Sequence, residues 1–129
     1  MLDTNHQPVE FTLDLTYPPS INSYYEKGNF IKGKDRRVGV AGSAFRAEVL
    51  RFKLQNLKNP RTLTCRLSME VELWAPDRRK RDIDNPLKCL FDALEYARLI
   101  ENDEQIDVLV MYKRGVEAPG KTIVTLREI

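Results

Sequence analysis

From Leu63 to Leu73 the chain reads LTCRLSMEVEL, and every second side chain is apolar: Leu63, Cys65, Leu67, Met69, Val71 and Leu73. Successive side chains of an extended strand point to opposite faces, so this pattern demands a strand with one face buried and one wet. Such a strand cannot stand alone. It needs neighbours in a sheet and a layer packed on its apolar side. The same period reveals the neighbours. Val9, Phe11, Leu13, Leu15 and Tyr17 alternate with Glu10, Thr12, Asp14 and Thr16, until Pro18 and Pro19 end the run. IDVLVMYKR from Ile106 and KTIVTLRE from Lys121 supply two more strands, joined through GVEAPG.

The covering layer comes from two stretches with a longer period. Ala47, Leu50, Leu54 and Leu57 form one stripe with Phe45, Val49 and Phe52 beside it, which predicts a helix over 43–57 capped by Ser43. Leu87, Leu90, Phe91, Leu94 and Ala97 recur at helical spacing behind Asn85, a good N-cap, and Pro86, suited to the first helical position. The order β-α-β-α-β-β predicts an α+β fold, a mixed sheet with two helices packed on it. At 129 residues the chain is expected to form a single domain over 1–129. Residues 1–8 read as a flexible leader and 20–42 as a long basic loop.

The net charge is only +2, from 21 Lys and Arg against 19 Asp and Glu. Bulk charge therefore names no partner, and the placement of charge must decide. His6 is the only histidine, which leaves no Ser-His or Cys-His pair within one chain. Cys65 and Cys89 lie in apolar patterns without a CxxC and read as reduced thiols of a cytoplasmic protein. No basic-then-apolar signal segment opens the chain, and no apolar run approaches the roughly 18 residues of a membrane span.

Charge placement is pointed at RRKRDIDNPLK, 78–88. Arg78, Arg79, Lys80 and Arg81 stand directly before Asp82 and Asp84. Residues two apart in an extended chain share a side, so both carboxylates are able to face one hard cation such as Mg²⁺, with Mn²⁺ as a substitute. Carboxylates alone repel a polyanion. A metal ion reverses that, and the adjacent cations offer sequence-insensitive phosphate contacts. Lys32, Lys34, Arg36 and Arg37 form a second basic group. Lys88, four residues after Asp84, is placed to support charge on a phosphate, or else to pair with Asp92 on a wet helix face. A third carboxylate is expected from beyond the next helix, returning along the following strand. Spacing leaves Glu101, Asp103, Glu104 and Asp107 all open.

With these motifs in hand, the sequence resembles the RusA family of Holliday-junction resolvases. YPPSIN from Tyr17 is similar to that family's Pro-Pro-Ser-x-Asn element, RRKRDIDNPLKCLFDAL to its central motif, and NDEQ from Asn102 to its acid-x-Gln element. The resemblance spans Phe11 to the C-terminus. It implies that Asp82, Asp84 and Asp103 are metal-binding catalytic carboxylates and that Lys88 assists them; beside them, Asn22 and the two basic groups are expected to contact DNA. It departs from the family at Asn102, where an adjacent second acid is common. It further implies a homodimeric, Mg²⁺-dependent endonuclease acting on four-way DNA junctions. A junction-binding protein without catalysis, and a nuclease for other branched DNA, are the alternatives. Trp74, Phe30, Tyr24, Tyr25 and Tyr96 are aromatics available for a dimer interface.

Overall fold

A computed structural model of the chain describes residues 8–26 and 37–129. Its elements are β1 (Glu10–Leu15), α1 (Ile21–Tyr24), α2 (Val40–Asn56), β2 (Leu67–Ala75), α3 (Leu87–Tyr96), a 3₁₀ turn (Asp103–Gln105), β3 (Ile106–Val116) and β4 (Lys121–Glu128). The four strands form one mixed sheet in the order β1-β4-β2-β3. β4 is antiparallel to both β1 and β2, whereas β3 is parallel to β2. A parallel pair needs a long crossover, and α3 supplies it. The expected α+β architecture is what forms, with one short additional helix, α1.

The alternating positions do what their period requires. Leu67, Met69, Val71 and Leu73 of β2 are buried with Leu13 of β1 and with Val124 and Leu126 of β4. Phe45 and Val49 of α2 and Leu90, Ala93 and Leu94 of α3 complete the same core. β2 starts at Leu67 rather than Leu63 for a definite reason. The Gln105 side-chain amide donates to the carbonyls of Leu63 (2.8 Å) and Cys65 (2.9 Å), so those carbonyls go to a side chain instead of a ladder.

The segment read as a loop over 20–42 is partly helical. Ser20 accepts from the Ser23 amide and caps α1. Tyr25 and Val38 form an antiparallel bridge. α2 then begins at Val40 behind Gly39, which puts Ser43 inside the helix rather than at its cap. Tertiary packing explains the earlier start: a Cβ on Gly42 would lie 2.2 Å from the Tyr24 carbonyl oxygen, so only glycine lets α2 approach α1 this closely. α3 begins one residue later than its sequence signals suggest, at Leu87, with Pro86 in the cap position.

A polar network ties the three helices together. Arg46 of α2 grips the Asp92 carboxylate of α3 through two hydrogen bonds of 2.8 and 2.9 Å, and the Tyr24 hydroxyl of α1 donates to the same carboxylate. Burial pushes the Asp92 carboxyl up, but the hydrogen bonds from Arg46 and Tyr24 bring it below its ordinary value. Removing one partner strands the others, so Asp92→Ala is expected to cost about 2–3 kcal/mol, less than a fully buried pair. Urea unfolding measures it. Because the folded-state pKa is lowered, the difference from the parent should be complete above about pH 5 and shrink as acid protonates the carboxyl.

Candidate active site

The chain leaving β2 folds into a loop organised by Arg81. Its guanidinium pairs with Asp77 at 2.8 Å and donates to the carbonyls of Asp77 (3.2 Å) and Arg79 (3.3 Å). It lies 5.6 Å from the centre of the Tyr17 ring. The Asp77 carboxyl is drawn down to about 2, first by Arg81 and then by the Arg79 amide. Lys113 of β3 donates to the Arg81 carbonyl. Arg81 is thus a clamp on the loop, while Arg78, Arg79 and Lys80 stay exposed. The run of four cations divides into three that face solvent and one that shapes the backbone before Asp82.

Asp82 and Asp84 follow in two consecutive turns, closed by Asn85 N–H to the Asp82 carbonyl (3.2 Å) and Leu87 N–H to the Asp84 carbonyl (3.0 Å). Both side chains are exposed, and among the described residues neither carboxylate takes a hydrogen bond or ion pair. Lys88 is exposed one turn on, its ammonium 5.8 Å from the centre of the Tyr25 ring. Its alternative partner, Asp92, is held by Arg46 and Tyr24 instead. One cleft is lined by Tyr17, Pro18 and Ser20 together with Lys80, Arg81, Asp82 and Asn85. YPPSIN and the central motif, sixty residues apart in sequence, therefore share a wall. Asn22 is exposed on α1 close to that wall in sequence.

Asp103 stands elsewhere. It opens the 3₁₀ turn before β3, and its amide donates to Glu95 Oε1 at 2.9 Å, near the far end of α3. Gln105 fastens this turn. Its side-chain oxygen accepts from the amides of Glu101 (2.8 Å) and Asn102 (2.9 Å), while its amide group takes the Leu63 and Cys65 carbonyls. Arg66 engages Glu104 at 2.9 Å and Asp107 at 2.5 Å. Two of the rivals for a third ligand are therefore already paired, whereas among the described residues the Asp103 carboxylate is not.

The strand after α3 does lie beside β2, but in parallel, so it carries Asp103 to the sheet end opposite Asp82. Leu67 at the start of β2 faces Ile106, and Leu73 near its end faces Lys113, the residue that contacts Arg81. Six residue steps of β2 separate the two ends, roughly 20 Å at about 3.3 Å each. Among the described residues no group of three or more His, Cys, Asp or Glu stands together as a metal-binding set. Within one chain Asp82 and Asp84 are neighbours and Asp103 is remote from both.

β3 itself is unusual. It is an eleven-residue edge strand whose outer side has no strand partner among the described residues. Val108 (48%), Leu109 (39%), Val110 (39%) and Tyr112 (36%) are exposed on both of its faces. Of the aromatics considered for an interface, Tyr24 is in the core, Trp74 and Tyr25 are half-buried, and Tyr96 is half-exposed beneath Arg46. Phe30 lies outside the described residues, as do Lys32, Lys34 and Arg36, while Arg37 is exposed. The apolar surface lies on β3 instead. Its signal was in the sequence: Val108, Leu109, Val110 and Met111 are consecutive apolar residues, the mark of a strand meant to be covered on both faces.

Comparison with known proteins agrees with the motifs. A family model described as endodeoxyribonuclease RusA matches residues 15–127. The crossover junction endodeoxyribonuclease rusA of Enterobacteria phage HK97 is 36% identical over 111 residues, covering 86% of this chain and 88% of the relative. The crossover junction endodeoxyribonuclease RusA of Escherichia coli strain K12 is 32% identical over 119 residues, covering 92% and 95%.

Proposed function

The chain belongs to the endodeoxyribonuclease RusA family, and we propose that it cuts four-way DNA junctions as a homodimer whose two acidic sites are each built from both subunits. One observation carries this reading. Asp82 and Asp84 lie at one end of an apolar edge strand, unpartnered among the described residues, and Asp103 at the other. A long, flat, apolar edge is a liability unless something covers it. A second copy pairing antiparallel to β3 about a two-fold axis covers it. The same operation carries Asp103 of the partner subunit toward Asp82 and Asp84. Two-fold symmetry then yields two such sites, matched to the two strands that resolution must cut.

The donor set suits a hard divalent cation. Asp82, Asp84 and Asp103 of the partner subunit offer only carboxylate oxygens, as Mg²⁺ prefers and Mn²⁺ accepts. Such an ion, when bound, supplies Lewis acidity and a water of lowered pKa for phosphodiester hydrolysis. The chain's own residues do the rest. Arg78, Arg79 and Lys80 hold the backbone by phosphate contacts that carry no sequence information. Arg81 and Lys113 fix the loop that presents Asp82. Lys88 places an ammonium one helical turn from Asp84, where it opposes charge gathering on the phosphate oxygens. Both cysteines are free thiols, which fits work on DNA in the reducing cytoplasm. Among the described residues no helix is long and apolar enough to cross a membrane.

A labelled synthetic four-way junction tests the reading. Paired cuts on opposing strands are expected with Mg²⁺ or Mn²⁺, binding without cutting in Ca²⁺, and no cutting in excess EDTA or on linear duplex. Full cleavage in excess chelator would contradict the metal-dependent chemistry. Equal cleavage of flaps or linear DNA would move the substrate away from four-way junctions. Junction binding with no cleavage in any metal would favour a binding protein.

A further inference from the structure

Beside the cleft that holds Asp82 lies a second groove, which takes Tyr17, Arg78, Arg79 and Arg81 from the motifs and its other walls from strand ends that no motif marks. It runs between the ends of β2 and β3 and the 77–81 loop, and it encloses about 340 Å³. Leu73, Ala75, Val116 and the Tyr17 ring give it an apolar floor, and Val116 is 51% exposed there. Its rim is cationic, from Arg78, Arg79, Lys113 and Arg114, and among the described residues Asp77 is the one carboxylate that lines it. Asp77 is held tightly by Arg81 at 2.8 Å and more loosely by the exposed Arg79 side chain at 3.7 Å. An apolar floor beneath a cationic rim matches a nucleotide, whose base seeks an aromatic or apolar surface and whose phosphate seeks guanidinium. A neutral or basic protein segment matches the floor but not the rim.

Two further features point the same way. Tyr17 and Arg81 line both this groove and the cleft of Asp82, so an occupant of one borders the other. Arg114 is preset by Glu72 at 2.9 Å and by stacking 4.0 Å from the centre of the Tyr112 ring. Gly115 next to it has φ +146°, and a Cβ there would meet nothing within 4 Å, so the wall is open at this point.

Resting on the junction-nuclease reading above, we propose that this groove seats one nucleotide of the cut strand next to the scissile phosphate. Its base packs on Tyr17 and Val116, and its phosphate lies between Arg79 and Arg114. The groove's shape then decides which nucleotides are accepted beside a cut, and so where cuts fall.

The test uses four-way junctions carrying 5-iodouracil at single positions on either side of the crossover. They are bound to the full-length protein in Ca²⁺, irradiated, and the attached peptide is identified by mass spectrometry. One position adjacent to the cut should crosslink to the peptide containing Tyr17, and Val116→Phe, which fills the groove, should abolish that crosslink. The same variant should cut about tenfold slower or at shifted positions, while binding the junction within about twofold of the parent. No Tyr17 crosslink from any position, or Val116→Phe cutting at the parent's rate and places, overturns the proposal. A Val116→Phe protein that has become monomeric overturns it too, because the groove then belongs to the subunit contact. A parent that cuts no junction removes the nuclease reading itself, whereas a parent that cuts without the crosslink removes only the groove.

Discussion

Asp82→Asn, Asp84→Asn and Asp103→Asn are each expected to lower junction cleavage by about 10³-fold or more, with junction binding equal to or tighter than the parent's. Each change keeps the side chain's size and removes one negative charge. None of the three carboxylates holds the fold together, since among the described residues none has a hydrogen-bond or ion-pair partner. Unfolding midpoints should therefore stay put while activity collapses. Binding should hold or improve because a bare carboxylate beside a phosphate path repels it. The contrasting variant is Glu104→Gln. Arg66 engages Glu104, and the loss of that exposed pair should cost cleavage little. Gel-shift assays in Ca²⁺ and single-turnover cleavage in Mg²⁺ separate the two effects. A silent Asp103→Asn beside a dead Glu104→Gln would move the third ligand by one residue.

The double variant Val108→Lys, Val110→Lys should give a monomer with cleavage reduced about 10²-fold or more, while its fold remains intact. Val108 and Val110 share one face of the edge strand and are 48% and 39% exposed, so lysine there disturbs little within one chain. Two copies pairing through β3, however, would bring these lysines together about the two-fold axis, where like charges repel. Light scattering reads the mass, and circular dichroism with urea unfolding reads the fold. A variant that stays dimeric and active would put the interface somewhere other than β3.

How much of this was legible in the chain depends on whether the signal was local. Alternation from Leu63 to Leu73 and the helical spacing from Leu87 to Ala97 are local, and the elements appear close to where they are read. The start of α2 was not legible. Gly39 and Gly42 look like loop residues until Tyr24 is packed against Gly42, a contact made by tertiary structure. The acidic pair and Lys88 are contiguous with a helix start and were readable as a unit. The position of Asp103 was not, because it depends on whether β3 runs parallel or antiparallel to β2, which no residue pattern in β3 encodes. The cations of the central motif were readable as a group but not individually. That Arg81 turns inward onto Asp77 follows from loop geometry. The groove with Lys113 and Arg114 escaped because its halves lie on different strands.

Mixing two inactive proteins tests the shared site most directly. Asp82→Asn and Asp103→Asn chains are purified separately, combined, briefly unfolded and refolded together to exchange subunits, and assayed on a four-way junction. If each site takes Asp82 and Asp84 from one subunit and Asp103 from the other, a mixed dimer contains one site with both lesions and one with none. Random pairing makes half of the dimers mixed, so single nicks should return at roughly a quarter of the parent's rate per dimer site. Asp82→Asn mixed with Asp84→Asn should remain dead, because both lesions lie on the same side of the interface and every site then carries one. Failure of the first mixture to nick, with mixed dimers shown to form, would contradict a site built across the two subunits.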